Sequence, residues 1–139
     1  MSAALLFDIL TRIKAAIVAR ALPGIGAANV ILQEVPGPRA AELPAQQFPC
    51  VVIAPSGAEQ IDPQGGTTSR DDVVYRVVVA LVAIECGDSA ARFAQALGWR
   101  QSVRRLFHDQ PLDELCFTVR VQPLDIVERD AWLQNRLLV

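Results

Sequence analysis

Residues 71–85, Asp-Asp-Val-Val-Tyr-Arg-Val-Val-Val-Ala-Leu-Val-Ala-Ile-Glu, constrain the fold of this chain more than any other stretch. They contain no Gly or Pro, and β-branched residues dominate them, so they favour an extended conformation. In a helix, the seven Val and Ile residues of positions 73–84 would crowd one another at χ1. Strand side chains alternate between faces. One face then carries Val73, Tyr75, Val77, Val79, Leu81 and Ala83; the other carries Val74, Arg76, Val78, Ala80, Val82 and Ile84. Both sets are mostly apolar, which predicts a strand inside a sheet with both faces covered.

The rest of the chain must supply those covers. Its 139 residues, 52% apolar and 20% charged, suit one domain with one core, residues 1–139. No apolar run approaches the ~20 residues that span a bilayer, and Asp8, Arg12 and Lys14 interrupt the N-terminal apolar pattern where a signal peptide would continue. A cytoplasmic site of synthesis and no membrane partner are therefore expected. A net charge of −2 argues against a strong nonspecific grip on phosphate backbones. Cys50, Cys86 and Cys116 are too widely spaced for a zinc or redox motif and read as three reduced structural thiols. The residues call for no cofactor and no metal.

In chain order, residues 2–22 predict an amphipathic helix, with Leu6, Ile9, Leu10, Ile13, Ala16 and Ile17 at helical spacing and Pro23-Gly24 as its stop. Gly24-Ile25-Gly26 has the look of a phosphate loop, but it follows a helix rather than a strand and reads as a turn. Residues 29–35 and 48–54 predict two strands, and Pro55 closes the second. Residues 56–70 are a long polar connection, read either as a loop or as a hairpin arm pinched at Gly65-Gly66.

Gly87-Asp88-Ser89 starts a second helix over about 90–108, with Phe93, Ala96, Trp99, Val103, Leu106 and Phe107 on its buried side. Arg92, Arg100, Arg104 and Arg105 make it the most basic part of the chain: a solvated face, or a surface for an acidic partner. His108, the sole histidine, is followed by Asp109. The pair invites a catalytic reading, but no Ser or Cys nucleophile stands in a recognisable motif, and a histidine at a helix C-terminus suits the dipole. Residues 115–122 predict another strand, and the apolar run from Trp132 to Val139 predicts a terminal strand or a subunit contact.

The order is thus helix, two strands, polar connection, long strand, helix, strand, terminal strand. With the helix at 2–22, the strand Phe48-Pro49-Cys50-Val51-Val52-Ile53, the block at 72–79, the helix at 97–107 and the ending Glu128-Arg129-Asp130-Ala131-Trp132, the chain resembles tail terminator and tail-completion (neck) proteins of long-tailed phages. The resemblance implies an α+β domain, with a mixed, mainly antiparallel sheet of four to five strands and two helices packed on it. It also implies a non-enzymatic virion protein, a homo-oligomeric ring commonly of six copies, located at the tail and neck. Its partners would be itself, the tail tube protein and the head connector; DNA would pass through the ring without specific binding.

Candidate contact residues are Gln64, Gly65, Gly66, Thr67 and Arg70 in the polar connection, Arg100, Arg104 and Arg105 on the second helix, and Trp132, Leu137 and Leu138 near the end. Other readings stay open: an adjacent neck protein, a small hydrolase-like enzyme using His108 with Asp109 or Asp113, or a monomeric adaptor that adds a peptide strand at the 131–139 edge.

Overall fold

The computed structural model describes residues 5–34, 49–57, 60–63, 71–84, 89–112, 119–122 and 136–138. Helix α1 (Leu5–Arg20) leads through a single 3-10 turn at Ala27–Asn29 to β1 (Val30–Leu32) and β2 (Cys50–Pro55). There follow β3 (Gln60–Pro63), β4 (Asp71–Val74), β5 (Val77–Ile84), helix α2 (Ser89–Phe107) and β6 (Arg136–Leu138). The class is α+β: among the described residues two α-helices accompany a mixed sheet.

β2 is the centre of that sheet. β1 runs parallel along one side of it and β5 antiparallel along the other. The short β6 is antiparallel to the far end of β5, at Val82–Ile84. Cys50 through Ala54 are all buried, as an inner strand covered on both faces requires.

Register sorts the two faces. Val30 aligns with Val51, and Val51 with Leu81; all three enter the larger core, with Ile53 and Ala83. Ile9, Leu10, Ile13 and Ile17 of α1 and Ala96, Trp99, Val103 and Phe107 of α2 close over that face. Each buried Ile, Leu, Val or Phe side chain among them contributes about 1.5–3 kcal/mol. The opposite face gathers Cys50, Val52 and Val82 into a second cluster, with Ile31 and Ala80 beside it. The alternation predicted for residues 77–83 is therefore the one observed.

The long strand is not continuous. It splits at Tyr75-Arg76 into β4 and β5, and β4 leaves the main sheet to pair with β3. The cause lies on the facing strand. Ser56 N–H still donates to Arg76 O at 2.9 Å, continuing the β2–β5 ladder, but the next aligned pair is Gln60 with Val74. One side of the ribbon thus uses more residues than the other between these pairs, and Gly57, at φ +69°, starts the excess in a left-handed conformation. Such a bulge bends a ribbon and raises its twist.

Residues 56–70 accordingly contain a hairpin arm's first strand, and the arm reading outlasts the loop reading for 60–63. Residues 64–70, with the proposed pinch at Gly65-Gly66, lie outside the described residues. The expected cover on both faces is complete for Leu81–Ala83 of β5, partial for Val77–Ala80, and fails for β4: Val73 and Val74 point to opposite sides of the ribbon, and each is 41% exposed.

Helix α2 lies within one residue of its predicted bounds at each end, and α1 stops short of its predicted end. α1 ends at Arg20 rather than 22, because Ala21 already takes φ +54°. A turn follows in which Ile25 N–H donates to Leu22 O, with Pro23 second and Gly24 third at φ +82°, the type II arrangement. Trp99 Nε1–H donates to Pro23 O at 2.7 Å, docking this turn on α2. Gly24-Ile25-Gly26 is therefore a tertiary joint between the helices. Phe93 of α2, predicted to be buried, is 41% exposed. Of the strand predicted at 115–122, residues 119–122 form no strand and the others lie outside the described residues.

Candidate interaction surfaces

Two regions stand out, and neither is a conventional pocket. The first is the root of the arm. Valines on both faces of a two-stranded ribbon are left to solvent there, and such a ribbon is marginally stable alone. The register sets Asp62 opposite Asp72 and Pro63 opposite Asp71.

The second region is one flank of α2. Ala96, Trp99, Val103 and Phe107 face the core. Phe93, Leu97, Arg100 and Arg104 follow i, i+4, i+7 and i+11 spacing and form a single ridge beside it. Leu97 is 36% exposed, comparable with Phe93, and Arg104 is exposed while Arg100 is half-buried. The helix carries Arg92, Arg100, Arg104 and Arg105 without one acidic residue. Arg104 and Arg105 lie in its last turn, where cations complement the dipole.

Of the other predicted contact residues, Arg105 is exposed and lines an open cleft of about 440 Å³ between α1 and the end of α2. Arg12, Ala16, Leu106 and Leu112 also line it. Leu137 and Leu138 lie in β6, in register with Ala83 and Val82. Gln64, Gly65, Gly66, Thr67, Arg70 and Trp132 lie outside the described residues. Sequence reasoning missed Val73, Val74 and Leu97 as exposed apolar residues. The valines differ from Val77–Val79 only by lying before Tyr75-Arg76, a pair that does not by itself break a strand; Leu97 lay outside the predicted buried arc, which was the available hint.

His108 sits just past the end of α2, in a turn whose next residue, Asp109, has φ +56°. Val121 N–H donates to His108 Nδ1 at 3.2 Å, and His108 Nε2 lies 3.3 Å from Asp109 Oδ2. With Nδ1 accepting, the neutral ring carries its proton on Nε2 and directs it at the carboxylate. Asp109 N–H also donates to Val119 O at 2.8 Å, so the pair clamps residues 119–121 to the end of the helix. The ring is 40% exposed and does not line the cleft.

Cys50 is a free thiol wholly enclosed in the second cluster, and burial pushes its pKa up to about 11. It is a neutral packing group at neutral pH. Cys86 and Cys116 lie outside the described residues. Among the described residues no helix is long and apolar enough to cross a membrane. Comparison with known protein families, with curated proteins and with solved structures gives no match.

Proposed function

We propose that this chain is a structural subunit of the virion of a long-tailed phage or prophage: a tail terminator whose copies close into a ring. The ring caps the tail tube and offers its other side to the head connector. Its subunits are made in the host cytoplasm, act by contact rather than by chemistry, and let DNA pass without reading it. The body of each subunit is a mainly antiparallel sheet of four to five strands under two helices, stiffened by an inner strand buried on both faces.

The observation that carries this reading is the arm. β3 and β4 leave the main sheet as a separate ribbon with Val73 and Val74 open to solvent. A ribbon this small gains stability when something covers it. A subunit that lives among neighbours supplies that cover, and a closed ring supplies it for every copy at once. Negative-stain micrographs of the concentrated protein test the proposal. Closed rings with a central opening are the expected image, and antibody labelling should mark the head–tail joint of particles. Fields of separate globules, with unlabelled particles, would remove it.

A further inference from the structure

The cleft between α1 and the end of α2 brings positive charge and apolar surface together. Arg12 of α1 and Arg105 of α2 both line it, and both are exposed. Half-buried Ala16 and Leu106 and buried Leu112 supply its apolar part, and exposed Gln110 adds an amide. Among the described residues that line the cleft none is acidic. Asp8, one helical turn before Arg12, does not line it, and neither does Asp109, whose carboxylate lies 3.3 Å from His108 Nε2. Nor are the arginines of the last turn the sole partners of the helix end. His108 N–H donates to Arg104 O at 2.9 Å, and Gln110 N–H donates to Phe107 O at 3.1 Å.

We infer that this cleft is a docking site for an acidic segment of a partner protein, one in which a carboxylate side chain stands beside an apolar one. The carboxylate meets the guanidinium of Arg105, with that of Arg12 on the α1 side. The apolar neighbour lies on Ala16, Leu106 and Leu112. Charge complementarity selects this occupant. A nucleic-acid backbone needs a track of cations and gains nothing from the apolar part. A free small ligand is ordinarily enclosed over most of its surface, whereas this cleft, at about 440 Å³, is open. The inference goes beyond the ring reading and does not depend on it: it concerns what one subunit binds, not how subunits join.

NMR titration of the isotope-labelled chain with the peptide acetyl-Gly-Leu-Glu-Glu-Leu-Gly-amide tests it. Saturable shifts are expected at the backbone amides of Ala15, Ala16, Gln110 and Leu112. Replacing both Glu of the peptide by Gln, or Arg105→Gln in the protein, should weaken binding at least about fivefold. Ala15→Glu, which sets a carboxylate in the cleft three residues from Arg12, should weaken it comparably while leaving both arginines in place. Ala15 and Arg105 are exposed, so both variants should keep the wild-type urea midpoint, which separates lost binding from lost folding. No saturable shift at millimolar peptide, shifts confined to other surfaces, or equal binding of the Gln peptide would overturn the inference. So would larger shifts of the same amides with a duplex oligonucleotide, or the same shifts on concentrating the protein alone, which would assign the cleft to nucleic acid or to a second copy.

Discussion

Replacing Trp99 by Phe tests how the two helices are held in relation to each other. Trp99 is 1% exposed at the centre of the larger core, and its indole N–H donates to Pro23 O at 2.7 Å. Phe keeps most of the apolar filling and removes the donor. A lost neutral hydrogen bond costs about 0.5–1.5 kcal/mol net, and a carbonyl left wholly without a partner about 1–3 kcal/mol. Pro23 is exposed, and Gln95 Nε2 lies 3.4 Å from the same oxygen, so water or that amide takes over part of the bond. The smaller figure governs, and Trp99→Phe should cost about 1 kcal/mol. Trp99→Ala also empties the site, which adds about 3–5 kcal/mol. With a urea slope of about 1–3 kcal/mol per molar, the Phe variant should lower the midpoint by about 0.3–1 M at unchanged slope. The Ala variant should lower it several times further. Equal losses in the two variants would refute the reasoning, because the hydrogen bond would then outweigh the ring.

Three further outcomes are expected. At Gly57, a Cβ meets no atom within 4 Å, so Gly57→Ala should cost only the strain of φ +69°, about 1–2 kcal/mol. Gly57→Asn should cost less; equal urea midpoints for the two variants would contradict this. Cys50 titrates at about 11 in the fold against an ordinary 9.0, so between those values the unfolded chain releases a proton that the folded chain retains. Its contribution is complete below pH 9.0 and falls as pH rises towards 11, by roughly 3 kcal/mol, and Cys50→Ala should lack that part of the alkaline loss in urea midpoints at pH 8 and 10. Finally, His108→Phe removes the Nδ1 acceptor that the N–H of Val121 uses. The hydrogen-exchange protection of Val121 should therefore drop in that variant, and unchanged protection would contradict the clamp.

The sheet was legible where one strand carried its own signal. Alternation of Val and Ala over 77–83 predicted both faces, because burial on two sides leaves little room for polar residues. The break before it was not legible. Residues 73–79 read as one strand-forming run, because neither Tyr75 nor Arg76 stops a strand, and the residue that starts the misalignment, Gly57, belongs to the opposing strand. Phe93 shows a similar limit: helical spacing placed it near the core arc, but the sheet beneath α2 receives Ala96, Trp99, Val103 and Phe107 and leaves Phe93 at the margin. His108 and Asp109 were visible as neighbours, whereas the backbone of Val121 arrives through the tertiary fold. The basic character of α2 was plain from composition; its exposed apolar ridge needed the helix docked.

Sedimentation velocity of the unmodified protein over a wide concentration range tests the central claim most directly. The ring reading predicts one discrete larger species, a whole multiple of the 15.1 kDa subunit, growing at the expense of monomer. A 15.1 kDa monomer at every concentration and every salt would contradict it.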